Sequence, residues 1–305
     1  MAKPIHIALG STTSKPGDVS GNLQQIARFA RQAASDHADL LLTPEMSASG
    51  YGSYPEVLAT AEVAGDGPIY RTLAGIARMT GVVICAGFVE QSAAKRYLAH
   101  YIVYPDDRFL VQRKHRVTPA ERPLDTLLPL VHRDANDYIG QPLGGLQFQC
   151  FDVRGVRCAI TICADSGIDN LQDVLAEHGV ELQLNPAGAG GRREDRVVTA
   201  DLYTEEGREK YARLLEMVFF PVPTTSISTC LKYGRALAAV NQCGHDGREM
   251  YHLGHGFIVT PMGEVAAVMH GIPNIDRMRP MYAHAQIDLH ERLVAPEAAS
   301  ARIAK

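Results

Sequence analysis

Short β-rich runs and helical stretches take turns along the chain. Pro4–Gly10 reads as a strand. Ser20–Ala34 puts Leu23, Ile26, Ala27 and Ala30 on one helical face, with Ser20 positioned to cap it. Leu40–Thr43 is a short apolar run with the length and flanks of a buried strand. Ile69–Met79 has helical spacing, and Gly81 then opens the strand Val82–Phe88. Leu98–Tyr104 and Phe109–Gln112 are strands joined across Pro105-Asp106-Asp107, a hairpin-like turn.

Thr118–Gly145 is a long, proline-containing connection with weak patterning, a length that in compact domains is usually functional or mobile. Regularity returns with Leu146–Val153, a turn at Arg154-Gly155, and Val156–Ile162. Ile168–His178 is amphipathic through Ile168, Leu171, Val174 and Leu175, and Gly179 ends it. Val180–Leu184 is a strand and Glu205–Val218 a helix. Ala236–Val240, Gly256–Thr260, Val265–Met269 and Ala283–Asp288 make the second half strand-rich, with a turn at Pro261-Met262-Gly263. No repeat, low-complexity segment or linker divides the chain. The pattern predicts one α/β domain with a mixed sheet or two stacked sheets. The alanine-rich Pro296–Lys305 is expected as a peripheral helix or a partner-contacting tail.

Composition narrows the function classes. With 305 residues, 46% apolar and 21% charged, the chain matches soluble globular averages and is long enough for a sizeable core. A net charge of −4 and the absence of a basic stretch argue against a nucleic-acid partner. No apolar run approaches the ~18–20 residues that span a bilayer. The N-terminus passes directly into a strand pattern with no secretory signature. Six cysteines without a Cys-x-x-Cys pair form no disulfide framework, which points to the cytoplasm and free thiols.

Three strand patterns end in a reactive side chain. Leu40-Leu41-Leu42-Thr43-Pro44 delivers Glu45, Leu110-Val111-Gln112-Arg113 delivers Lys114, and Cys158-Ala159-Ile160-Thr161-Ile162 delivers Cys163. Strand carboxyl ends form the ligand crevice of open α/β sheets, so residues far apart in sequence can converge there. The trio is chemically coherent. A thiol attacks a carbonyl or nitrile carbon as thiolate, a carboxylate takes its proton and returns it to the leaving amine, and an ammonium stabilises the oxyanion. The backbone N–H of Ala164 is a second oxyanion donor. Each residue alone also has a plainer reading: a solvated loop carboxylate, a surface charge, a small buried hydrophobe.

The joint pattern resembles the nitrilase superfamily of carbon–nitrogen hydrolases. The resemblance rests on Ile5–Leu9, Pro44-Glu45 with Gly50-Tyr51, Arg113-Lys114-His115 and Ile162-Cys163-Ala164-Asp165. It continues through Asn241-Gln242, the stretch from Gly254 to Val259, Pro261-Met262-Gly263-Glu264 and Ala285-Gln286-Ile287-Asp288. It implies a four-layer α-β-β-α sandwich, with a hydrolase domain over residues 1–290 and a tail over 291–305. It also implies a homodimer or larger assembly and no cofactor or metal. By resemblance Glu45 is the general base, Lys114 the oxyanion stabiliser and Cys163 the nucleophile. Glu121 is the candidate for the second glutamate many members carry, its alternative being an exposed loop charge.

The family often has an aromatic residue after the cysteine, with Trp-Glu in nitrilases and frequently Tyr-Asp in amidases. Ala164-Asp165 here argues against nitriles and against a standard aliphatic amidase, and leaves room for a larger acyl group. Tyr51, Asp165, Gly188 and Arg192 are the further substrate-contact candidates. Gly188 belongs to the glycine-rich Pro186–Gly191, whose alternative reading is a flexible surface loop; Arg192, Arg193 and Arg196 follow, first read as solvated surface charge, with the binding of a carboxylate of the kind an N-carbamoyl amino acid carries as the second reading. Arg116, Arg122, His132 and Arg133 are alternative contacts. The expected substrate is a small amide or N-carbamoyl compound, with a small nitrile as the alternative. From other classes, the rivals are a metal site at Cys243, His245, His252 and His255, whose spacing lacks the paired ligands of structural zinc, and a non-catalytic scaffold of the same fold.

Overall fold

The computed structural model describes residues 3–115, 118, 121, 148–168, 170–191, 196–219, 222–248, 250–269, 274, 276 and 278–290. Apart from Thr118 and Glu121, the expected connection 118–145 lies outside them, as do residues 146–147 of the strand expected at 146–153 and the tail 291–305.

Among the described residues two six-stranded sheets carry the fold. The first contains β1 (Pro4–Ser11), β2 (Leu40–Leu42), β3 (Val83–Ser92), β4 (Lys95–Val103) and β5 (Phe109–Arg113) in that order. The second contains β6 (Phe151–Val153), β7 (Val156–Ile160), β8 (Leu182–Ala187) and β9 (Ala236–Asn241), with β12 (Gly256–Val259) and β13 (Val265–Met269) beyond β9. A small hairpin, β10 (Cys243–His245) with β11 (Tyr251–Leu253), stands apart, and β14 (Met281–Asp288) returns to the first sheet antiparallel to β1. Both sheets are mixed: β1, β2 and β3 run parallel, as do β7, β8 and β9, while the outer pairs are antiparallel.

Strand periodicity builds the layers, because alternate side chains point to opposite faces. Ile5, Ile7, Leu9, Leu40 and Leu42 meet Cys158, Ile160, Leu182, Leu184 and Ala238 between the sheets, all fully buried. Ala8, Leu41 and Ile84 face the other way, onto α1 (Val19–Ser35) and, beyond α2 (Pro55–Leu58), α3 (Pro68–Thr80). On the outer side of the second sheet, Ala159 packs against α4 (Leu171–Glu177). After α5 (Glu205–Phe219), α6 (Thr224–Tyr233) covers Leu237, Ala239 and Phe257. The result is the expected four-layer α-β-β-α sandwich. Each fully buried Leu or Ile contributes roughly 1.5–3 kcal/mol of burial free energy, so the inter-sheet layer is the main cohesive element. Among the described residues no helix is long and apolar enough to cross a membrane.

Several expectations change in detail. The cap of α1 is Asp18, whose carboxylate accepts from Gly21 N at 2.9 Å, rather than Ser20. The helix expected from Ile168 begins at Leu171, because the chain just before it is a 3-10 turn over Cys163–Gly167. The strand expected over Val180–Leu184 runs Leu182–Ala187 instead.

Candidate active site

The segment after β2 stays zipped to β3 although its backbone turns. Thr43 N donates to Cys85 O at 3.0 Å and Ala48 N to Gly87 O at 2.8 Å. The Ser47 and Ser49 hydroxyls accept from Gly87 N (3.0 Å) and Val89 N (3.1 Å), where a regular strand would offer carbonyls. The turn needs Met46 at φ 52° and a very close approach to β3. A Cβ on Gly87 would lie 2.1 Å from Met46 N, so glycine is required there. Glu45 is thereby held 1% exposed.

Lys114 follows β5 directly. The preceding Arg113 forks onto Glu90 (Nε–Oε2 2.7 Å, Nη2–Oε1 2.8 Å) and lies over the Tyr97 ring, and Lys114 N donates to Leu98 O at 2.7 Å. The ammonium, 1% exposed, donates to Glu45 Oε1 at 2.7 Å and to Glu121 Oε1 at 2.6 Å. Glu121 is no exposed loop charge. It is 1% exposed, its Oε1 also accepts from Tyr51 OH at 2.8 Å, and its Oε2 accepts from Thr118 N at 2.8 Å.

Cys163 comes from the second sheet. Beyond β7, Thr161 N still pairs with Leu184 O at 2.9 Å, and the chain then turns sharply, with Cys163 at φ 49°. A non-glycine residue held left-handed costs about 1–2 kcal/mol, and such strain gathers where a side chain must be presented in one direction. Ala164 follows it, half-buried, in the same 3-10 turn. Asp165, expected as a substrate contact, has its carboxylate committed inside the protein. Its Oδ2 accepts from Ile162 N at 3.1 Å and its Oδ1 from His115 N at 3.0 Å. It therefore braces the Cys163 turn against the residue after Lys114, and the sequence-based assignment of Asp165 is corrected accordingly.

Gly188, just past β8, closes the cluster. A Cβ there would lie 2.4 Å from the Tyr51 ring and 3.1 Å from Glu45 Oε2. Two residues outside the expected trio hold this corner. Asn241 Nδ2 donates to Ala189 O at 2.8 Å, and Gln242 Nε2 donates to Glu45 O at 2.6 Å. A polar pair ending the apolar β9 was the signal for them. His252 is a third: fully buried, its Nδ1 is 3.0 Å from Ala189 O and its ring stands edge-on to Tyr51. Arg192, Arg116, Arg122, His132 and Arg133 lie outside the described residues.

The electrostatics follow from burial. Burial raises the Glu45 pKa to about 7, the Lys114 charge opposing and the Glu121 charge adding to the shift. Its Oε2 is buried with no hydrogen-bond partner among the described residues. Burial also pushes the Cys163 thiol up to about 12, and the Glu45 charge adds to this, while Lys114 and a hydrogen bond from the Gly188 backbone favour the thiolate. For Lys114, burial works against the charge, but Glu45, Glu121 and Cys163 more than offset it and hold the ammonium protonated. The resting cluster thus pairs a neutral thiol with a carboxyl group that titrates near neutrality. Among the described residues no group of three or more His, Cys, Asp or Glu side chains is arranged to hold a metal, including the stretch Cys243–His255.

The carbon–nitrogen hydrolase family matches residues 6–271 of this chain. A probable nitrilase of Schizosaccharomyces pombe is 23% identical over 95% of this chain and 99% of its own length. A hydrolase from the pqqF 5′ region of Pseudomonas protegens is 39% identical over 90 residues, which are 30% of this chain and only 31% of that protein. Among solved structures, an amidase from Nesterenkonia sp. superposes with a TM-score of 0.67 at 21% identity, covering 95% of this chain and 93% of that one; it is similar in fold.

Proposed function

The chain belongs to the carbon–nitrogen hydrolase family and is a hydrolytic enzyme, and on that premise we propose that it cleaves the non-peptide C–N bond of a small amide or N-carbamoyl compound through a thioester at Cys163. The observation that carries the reading is the buried ammonium of Lys114 held between Glu45 and Glu121, with the second Glu45 oxygen, beside Gly188, without a hydrogen-bond partner among the described residues.

In the proposed reaction Glu45 takes the Sγ proton as the sulfur attacks the carbonyl carbon. The carbonyl π pair moves onto oxygen, where the Lys114 ammonium and the Ala164 N–H stabilise it. Collapse of the tetrahedral adduct re-forms the C=O bond and breaks the C–N bond. The leaving nitrogen receives the proton from Glu45 and departs as ammonia or amine. Water then attacks the thioester, Glu45 accepts its proton, and a second collapse releases the acid and returns that proton to sulfur. A carboxyl group titrating near 7 suits both directions of transfer. Glu121 keeps Lys114 charged and aimed, and Tyr51 fixes Glu121.

A nitrile substrate is the second reading, favoured by the probable nitrilase that aligns along nearly the whole chain; it would pass through a thioimidate at the same sulfur. Intact-protein mass spectrometry after exposure to a pool of amides, carbamoyl compounds and nitriles separates the possibilities. An acyl adduct on Cys163 from an amide is the expected result. Adducts confined to Cys85, Cys150, Cys158, Cys230 or Cys243 would overturn the assignment of the nucleophile.

A further inference from the structure

The hairpin of β10 and β11 presses one side chain, His252, into the seam between the two halves of the candidate site, and the ring is fully buried there. On one side it meets the turn after β8. Its Nδ1 lies 3.0 Å from Ala189 O, and the Gly188 backbone also hydrogen-bonds the ring. On the other side the ring stands edge-on to Tyr51, whose hydroxyl donates to the same Glu121 oxygen that Lys114 uses. The approach is close: a Cβ on Gly190 would lie 2.8 Å from His252 Nδ1 and 2.6 Å from Tyr251 O.

The tautomer follows from the partner. A carbonyl oxygen only accepts, so Nδ1 carries the proton and Nε2 keeps a lone pair. That Nε2 is buried with no hydrogen-bond partner among the described residues. Burial lowers the His252 pKa, the two backbone carbonyls and the Asp246 charge opposing the shift and His245 adding to it, so the ring stays neutral. A side chain that only filled this space would do better as phenylalanine, which strands no nitrogen. What histidine adds is the Nδ1–H. Asn241 Nδ2 donates to Ala189 O as well, at 2.8 Å, so that carbonyl is held by one donor from β9 and one from β11. With its carbonyls turned to His252, the turn gives the Gly188 N–H to the Cys163 sulfur.

We infer that His252 is a positioning residue, whose Nδ1–H fixes the Gly188–Ala189 turn so that the Gly188 N–H stays on Cys163 and favours its thiolate. The inference rests on Cys163 as the reacting thiol. It gives the β10/β11 hairpin a task in the chemistry although none of its residues belongs to the trio of Glu45, Lys114 and Cys163.

Two variants isolate the bond. His252→Phe keeps an aromatic edge for Tyr51 and removes the donor, while His252→Asn returns an amide N–H near the place of Nδ1–H. The readout is the rate at which iodoacetamide alkylates Cys163 near pH 9, followed by peptide mass spectrometry, beside kcat and KM. The phenylalanine variant is expected to alkylate about tenfold more slowly, since the thiolate loses a donor. Its kcat should fall by about the same factor while KM changes less than about threefold. His252→Asn should restore most of the alkylation rate. A mere loosening of the fold would expose the sulfur and speed alkylation in both variants. A phenylalanine variant that alkylates at or above the wild-type rate therefore overturns the inference, as does an asparagine variant no faster than the phenylalanine one. Should His252→Phe not fold, Gly190→Ala takes its place: it leaves His252 present but wedges a methyl group against Nδ1, the same slowing is expected, and a wild-type rate overturns the inference. Alkylation needs no turnover. If Cys163→Ala hydrolyses amides as fast as wild type, the reaction reading fails, and the alkylation rates still decide the role of His252.

Discussion

Gln242, at the end of the second sheet, donates its side-chain N–H to the backbone carbonyl of Glu45, which belongs to the first, at 2.6 Å. Both residues are buried. Removing the donor strands a buried carbonyl, which costs about 1–3 kcal/mol. Gln242→Leu is therefore expected to lower the unfolding free energy by that amount, and to reduce kcat more than it raises KM, because Glu45 loses its fixed position rather than its chemistry. Thermal unfolding and steady-state kinetics on the same preparation measure both. A variant with wild-type kcat would show that the bond does not position Glu45.

The pH profile should carry the mark of Glu45. Below about 7 its carboxyl is protonated and cannot accept the thiol proton. Hence kcat/KM should fall about tenfold per unit on the acid side and level off above it. Because the thiol itself is pushed up to about 12, alkylation of Cys163 by iodoacetamide should stay slow through pH 9. A thiol that alkylates with a midpoint near 7 would contradict the neutral-thiol resting state.

Gly188→Ala introduces a methyl group that would sit 2.4 Å from the Tyr51 ring and 3.1 Å from Glu45 Oε2. Relief requires the ring or the loop to move, and overpacking of this kind costs typically about 1–3 kcal/mol. Activity is expected to drop about a hundredfold, since a 1 Å misplacement of reacting groups can cost that much. Retention of full activity would mean that the loop after β8 yields freely.

Cys163→Ala and Cys163→Gly should both lose essentially all turnover but differ in stability. The left-handed φ of 49° penalises alanine by about 1–2 kcal/mol and glycine hardly at all. The glycine variant should unfold at the higher temperature, although glycine is ordinarily the less stabilising residue. The reverse order would show that the turn relaxes once the sulfur is gone.

The sequence revealed the site where strand alternation ends in a reactive group. Glu45, Lys114 and Cys163 are legible there as candidates, because a buried strand leaves a clear apolar signal up to its last residue. It was silent where burial depends on distant partners. Nothing around Glu121 foretells that Tyr51, 70 residues away, accompanies Lys114 on its carboxylate. Asp165 misled for the same reason: its side chain turns back onto Ile162 and His115. The helix Thr224–Tyr233 went unseen because Thr, Ser and Cys are weak helix formers, and its packing against Leu237 and Phe257 is tertiary. The hairpin of β10 and β11, rich in His and Gly, showed no alternation.

Glu45 and Lys114 are carried by the first sheet, whose edge is completed by β14, the last strand among the described residues, pairing with β1 from Pro4↔Asp288 to Ser11↔Met281. Cys163 and Gly188 arrive with the second sheet, made in between. During synthesis β1 therefore waits for β14, and the reactive groups meet only when both sheets have closed on each other. Recovery of activity after dilution from denaturant should then lag behind the return of secondary structure, making turnover a reporter of the final docking step.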